Sequence, residues 1–156
     1  QEKLVDVDTI CPNNYSFAAK LNNGRVVFWN SRHQHIYNAD TIEKLRDVHK
    51  IYSHFNTFGV IYRSGEVLTW GLDISRNEEY NLLRNAETMY PNHLNFMVKL
   101  ENRSVVVLTQ NVNGYVGVDE LVDVVSVYPT RHAFAIELEN GSIVVYEDSF
   151  AQKKYM

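Results

Sequence analysis

One motif occurs four times in this chain, and a repeat of that kind constrains the architecture more than any single element can. Its start reads Leu4-Val5-Asp6-Val7, Leu45-Arg46-Asp47-Val48, Leu83-Arg84-Asn85-Ala86 and Leu121-Val122-Asp123-Val124, at intervals of 41, 38 and 38 residues. Three residues on stands Ile10, Ile51, Met89 or Val127, and two further stands Pro12, Ser53, Pro91 or Pro129. All three prolines of the chain therefore share one repeat position. Five residues later come Phe17, Phe58, Phe96 and Phe134, then Gly24, Gly65, Arg103 and Gly141, then Trp29, Trp70, Leu108 and Tyr146. The spacing holds without a gap in all four copies. The 156 residues thus form a single repeat array over 1–156, with units 4–44, 45–82, 83–120 and 121–156.

Each copy reads as β structure. Phe17, Ala19 and Leu21 alternate with Ala18 and Lys20, and the period of two recurs from Phe58, Phe96 and Phe134. The second face of that strand starts with Ala18, Gly59 or Ala135, with Met97 the exception, which lets a neighbouring sheet approach closely. Asn23-Gly24, Ser64-Gly65, Asn102-Arg103 and Asn140-Gly141 follow as centres of hairpins, for which a type I′ turn with two positive φ angles is expected. Arg103 is the strained member of that set. The returning strands, Val26 to Trp29 and its equivalents, are apolar on both faces apart from Thr69, as in a strand covered on two sides. In the Leu-x-Asp-Val-x-x-Ile segment the apolar spacing is three rather than two; it reads as a turn held by the Asp and a short strand ending at the Pro. Asp40-Thr-Ile-Glu43 and Ser75-Arg-Asn-Glu78 have capping-box spacing, so short helices compete with irregular connectors there.

The segments Phe17-Ala18-Ala19-Lys20-Leu21-Asn22-Asn23-Gly24-Arg25-Val26-Val27-Phe28-Trp29 and Thr57-Phe58-Gly59-Val60 through Gly65-Glu66-Val67-Leu68-Thr69-Trp70-Gly71 resemble the regulator-of-chromosome-condensation repeat. The last unit matches less closely, and the third lacks both the glycine and the aromatic. The connectors depart from the family, since only Asn111 to Gly117 is similar to its Asn- and Gly-rich pattern. The resemblance implies an all-β fold, a β-propeller-type array of four blades. Compact family members have seven. The array is accordingly expected to be part of a larger propeller, a ring completed by a dimer, or a small four-bladed ring, because an uncovered terminal blade exposes apolar faces and edges. Frequent Asn, Tyr and Ile suit a bacterial-type chain, with a secreted or host-delivered effector or surface factor as the corresponding expectation.

Composition narrows the function classes. Fifteen Lys and Arg against nineteen Asp and Glu leave a net charge of −4, without the basic footprint of a general nucleic-acid binder. No apolar run approaches a membrane span of roughly 18 residues. The single cysteine, Cys11, excludes an internal disulfide framework and a Cys-based zinc site, and reads as a small buried thiol rather than a nucleophile. A start at Gln1 suits a processed or excised piece.

Family members include an exchange factor for a small GTPase, β-lactamase inhibitors, bacterial effectors and ligase domains, so function must come from a site. The informative positions are the loops between the Pro position and the Phe: Asn13 to Ser16, His54 to Thr57, Asn92 to Asn95 and Thr130 to Ala133. In a propeller of this type they gather on one rim. Before each lies Cys11, Tyr52, Tyr90 or Tyr128, and three tyrosines at one position supply amphipathic anchors of the type enriched at interfaces. Packing between blades is the competing role. The expected partner-binding residues are Tyr15, Tyr52, His54, Phe55, Tyr90, His93, Tyr128, Arg131 and His132, in a non-enzymatic protein-binding module without cofactor. Its partner is another protein, which includes a second copy of the chain in a homodimer or the missing blades of a longer chain. An inhibitor-like or exchange-like regulator is the first alternative. A metal-dependent enzyme using His33 and His35, with Asp40 nearby, is the second.

Overall fold

The computed structural model describes residues 4–30, 43–71, 79–80, 83–109, 115–117, 121–147 and 152–155. The chain divides into two compact units, Gln1–Leu83 and Arg84–Met156. The first holds two antiparallel sheets. Blade 1 is β1 (Val7–Pro12), β2 (Ser16–Leu21) and β3 (Val26–Asn30). Blade 2 is β4 (Val48–His54), β5 (Thr57–Tyr62), β6 (Val67–Gly71) and β7 (Glu79–Tyr80). The second unit holds blade 3, with β8 (Ala86–Pro91), β9 (Asn95–Leu100), β10 (Val105–Thr109) and β11 (Tyr115–Gly117). Its blade 4 has β12 (Val124–Pro129), β13 (Ala133–Leu138), β14 (Ile143–Glu147) and β15 (Gln152–Tyr155). In every sheet the strands lie in chain order, so each is a simple meander. The expected capping-box helices fall outside the described residues except at Glu43 and Lys44, which are helical.

The three-residue apolar spacing has a specific cause. In each blade the first strand shifts register one residue into its ladder, between Val7 and Thr9, Val48 and Lys50, Ala86 and Thr88, and Val124 and Ser126. A β-bulge inserts one residue, so positions three apart return to the same face. Val48 and Ile51 are both buried as a result, as are Val124 and Val127. The preceding Asp6, Asp47, Asn85 and Asp123 all have φ between 58° and 65°, a conformation that Asp and Asn tolerate better than other side chains. Their carbonyls then accept bonds from Asn22, Arg63, Glu101 and Glu139 N–H in the next hairpin, at 2.9–3.1 Å. The repeated Asp is thus a backbone device that ties the start of a blade to its own turn.

The expected type I′ hairpins are corrected. Only one residue per turn, Gly24, Gly65, Arg103 or Gly141, has positive φ. Each donates its N–H to the residue three back, as from Gly24 to the Leu21 carbonyl at 2.9 Å. This is the three-residue loop in which one left-handed residue follows a tight turn. Asn23, Asn102 and Asn140 stay at negative φ because their side-chain oxygens accept the N–H two residues on, at 2.9–3.1 Å. Arg103 takes φ of 66°, and its guanidinium reaches Glu139 at 2.9 Å and Asp123 at 3.4 Å.

Packing repeats as well. A blade has a front face bearing the repeat Phe and aromatic, and a back face bearing the small residue. In the first unit the back of blade 1 (Ala18, Val26, Phe28, Cys11) packs on the front of blade 2 (Val48, Ile51, Phe58, Val60, Trp70). Trp70 stacks on Phe58 with centroids 5.4 Å apart and meets Phe28 at 6.4 Å. In the second unit Met97, Val105 and Val107 of blade 3 pack on Val124, Val127, Phe134, Ile136 and Tyr146 of blade 4 in the same way. Ala18 has no exposed surface, so the small residue does admit close approach in blade 1. Met97 is equally buried, so the larger exception is absorbed by the packing. Backbone bonds match too: Val48 N–H donates to the Gly24 carbonyl and Val124 N–H to that of Arg103, both at 2.9 Å.

Candidate functional site

The tight loops between the first and second strands of blades 1, 3 and 4 are built alike. Asn13 and Asn92 turn their side-chain oxygens back on the loop. Asn13 accepts the N–H of Tyr15 and Ser16 at 3.0 and 2.9 Å, and Asn92 accepts those of Leu94 and Asn95 at 2.9 and 2.8 Å. Thr130 does the same for Ala133 N–H at 3.0 Å. These polar residues hold three of the hairpins, and each of the four has two tip residues: Asn14 and Tyr15, Phe55 and Asn56, His93 and Leu94, Arg131 and His132.

Within each unit the two tips are stitched together. Asn14 N–H donates to the Phe55 carbonyl at 3.1 Å, and His93 N–H to the Arg131 carbonyl at 3.2 Å. The first unit so presents exposed Asn14, Tyr15 and Phe55 on two joined tips. The second gathers His93, Arg131 and His132, with the two imidazoles edge to face at 5.8 Å. Arg131 and His132 are exposed, and His93 is half-buried.

Other expected residues lie elsewhere. His54 occupies the position of Asn13 and Asn92, and at 7% exposure it is inside the hairpin rather than on its tip. The tyrosines sit on the first strands, with side chains on back faces. Tyr90 packs against the core cluster between blades 3 and 4, and its equivalent Cys11 packs against that of the first unit. Tyr52 is half-buried. Tyr128 is 54% exposed, and its hydroxyl donates to Glu137 Oε2 at 3.0 Å. At Tyr90 the repeat position serves blade packing, whereas at Tyr128 the same position is exposed.

Two further groups carry chemistry without adding to the site. Burial pushes the Cys11 thiol up, and its Sγ faces the Ile51 carbonyl at 3.6 Å, as expected of an inert thiol. Burial, with Glu66 nearby, pushes the Tyr62 hydroxyl up to about 12 while it donates to the Lys44 carbonyl at 3.0 Å. His33, His35 and Asp40 lie outside the described residues. Among the described residues no group of three His, Cys, Asp or Glu is placed to hold a metal ion, and no helix is long and apolar enough to cross a membrane.

The tip residue Asn14, which is exposed, went unremarked as an individual candidate, whereas Asn56 at the tip of blade 2 is buried; nothing in the sequence distinguishes a loop Asn that points outward from one that does not.

No family model matches the chain, and no curated protein matches it. Solved structures do. The crystal structure of Kap60 bound to yeast RCC1 (Prp20) aligns with a TM-score of 0.68 at 11% identity, over 94% of this chain and 45% of that one. Prp20p from Saccharomyces cerevisiae gives 0.64 at 12% identity, over 93% and 46%. Human WBSCR16 gives 0.65 at 11% identity, over 93% and 48%. This chain spans less than half the length of each. The meander sheets, the bulge and turn at one position in every unit, and this likeness together give the chain the fold of an RCC1-type repeat β-propeller array with four blades.

Proposed function

We propose that the chain is a non-enzymatic protein-binding module whose contact surface is formed by the hairpin tips. The observation that carries this reading is the gathering of side chains on hydrogen-bonded turns that are tied to each other: exposed Tyr15 and Phe55 in one unit, and exposed Arg131 and His132 with half-buried His93 in the other. Aromatic and Arg side chains are the residue types that dominate binding energy at interfaces, and ordering them beforehand lowers the entropy lost on contact. Solved chains of the same fold support the class of activity. Yeast RCC1 (Prp20) is seen with Kap60, and Prp20p is described with binding to Gsp1p and histones. A bacterial effector or surface factor is the setting we attach to this module, on its Asn-, Tyr- and Ile-rich composition alone.

The test is affinity capture with four forms of the chain. Tyr15→Ser with Phe55→Ser removes one tip pair, Arg131→Ala with His132→Ala the other, and the four changes together remove both. Because these side chains are exposed or at turn tips, circular dichroism and thermal melts should be unchanged. A captured protein that is retained by the wild type and lost with either pair, with affinity falling at least about tenfold, supports the reading. Capture that is equal for all four forms would refute it.

A further inference from the structure

Blade 1 alone presents its front face to solvent. Phe17 is 45% exposed and Trp29 40%, and their rings stack at 5.6 Å on an open surface continued by Leu4 and Ile10. The same repeat positions are buried everywhere else: Phe58 and Trp70, Phe96 and Leu108, Phe134 and Tyr146 all lie at 5% exposure or less. Residue type does not explain the difference. What covers this face is visible twice inside the chain, where the back of one blade seats on the front of the next with Val48 N–H on the Gly24 carbonyl, or Val124 N–H on that of Arg103.

The complementary face is also open. On blade 4 the back-face residues Ala135, Ile143 and Val145 are half-buried and Tyr128 is exposed. Gly24 in blade 1 is crowded, a Cβ there falling 3.1 Å from Asp47 Cα of the next blade, but Gly141 at the same position of blade 4 has nothing within 4 Å. One molecule thus carries an unused socket and an unused plug of a contact that it forms internally in both units.

We infer that the back of blade 4 docks on the front of blade 1 of a second copy of this chain. Ala135, Ile143 and Val145 would take the places of Ala18, Val26 and Phe28 against Phe17 and Trp29. The contact joins different faces, so it is heterologous: two copies that satisfy each other make a closed dimer, and other rotations make a chain of copies. This does not rest on the tip surface and leaves those residues untouched.

Sedimentation of the whole chain across micromolar to submillimolar concentration tests it, with acrylamide quenching of tryptophan fluorescence read in parallel. Self-association should appear, and quenching should fall as it does, because Trp29 becomes covered while Trp70 is already buried. Phe17→Asp on one face and Val145→Glu on the other should each weaken association at least about tenfold. Mixed together, the two variants should form a one-to-one pair that grows no further, since each keeps one intact face. Both substitutions sit on partly exposed positions, and thermal melts of the single variants check that they fold. A chain that stays monomeric throughout overturns the inference. So does association that survives Val145→Glu, which would mean front-to-front pairing, or a mixture that remains monomeric.

Discussion

Gly24 and Gly141 have the same φ of 81°, yet their surroundings differ completely. Replacing either by Ala costs about 1–2 kcal/mol for the left-handed conformation alone. At Gly24 the new methyl also meets the Asp47 backbone, which cannot move without disturbing the next blade. Gly24→Ala should therefore destabilise by at least ~1 kcal/mol more than Gly141→Ala in urea unfolding; equal losses would show that the turn, not the neighbour, sets the requirement. Gly71 is restricted differently. A Cβ there would fall 2.7 Å from Thr57 Cα and collide with the Asn56 carbonyl, so the Gly after Trp70 exists to let the tip hairpin pass. Cys11 gives a second measurement at this scale. Its raised thiol means that the folded chain favours the neutral form, so alkylation should be slower than for a free thiol and become fast in urea. The sign for stability follows: the contribution is whole below the ordinary thiol range and is lost as pH rises through it, because the unfolded thiol ionises first.

At the scale of the element, the bulge and the loop act as one unit. The left-handed Asp starts the strand, the bulge restores the apolar face, and the Asp carbonyl returns to the hairpin of the strand beside it. In blades 1 and 3 the bulged residue also supplies a carboxylate to a lysine on the neighbouring strand, Asp8 to Lys20 at 2.7 Å and Glu87 to Lys99 at 3.2 Å. The Lys20 ammonium, through its hydrogen bond, holds the Asp8 carboxyl below the usual carboxylate range. The back-face small residue sets how near the next sheet can come. Ala18→Leu should cost about 1–3 kcal/mol by overpacking a site without space, whereas Ala135→Leu, at the same repeat position on an uncovered face, should change stability by under ~0.5 kcal/mol. Thermal melts of the two variants measure this, and equal losses would mean that the blade itself requires the small residue.

At the scale of the whole molecule, the repeat makes stability a sum of local blades and the contacts between neighbours. Each unit encloses one such contact, and the residues that form it are the same positions taken from successive copies. The charge of −4 acts at this scale too. The basic residues are spread among the units, so the chain should show no retardation of duplex DNA at physiological salt, and salt-dependent binding in that assay would overturn our reading of its partners as proteins.

Much of the fold was legible because it is local. Alternation after the repeat Phe, the Asp before the bulge and the Gly or Asn of the turn act through bonds to residues a few positions away, and four copies reinforce one another. The turn type was misread because Asn23 and Gly24 suit two loop lengths, and only the hydrogen bond from Gly24 to Leu21 distinguishes them. The candidate site was less legible. Tip and tyrosine positions were found by spacing, but His54 is buried and Tyr90 packs in a core, outcomes that depend on what lies opposite. The sequence by itself determined the four blades and the turn at each repeated Asp or Asn, since these follow from backbone preference and short-range bonding, while the bulge behind the three-residue spacing emerged from the strand register. Only the tertiary structure decided that Phe58 is core and Phe17 is surface, because burial belongs to a side chain's neighbour, and identical repeats carry no mark of which copy has one.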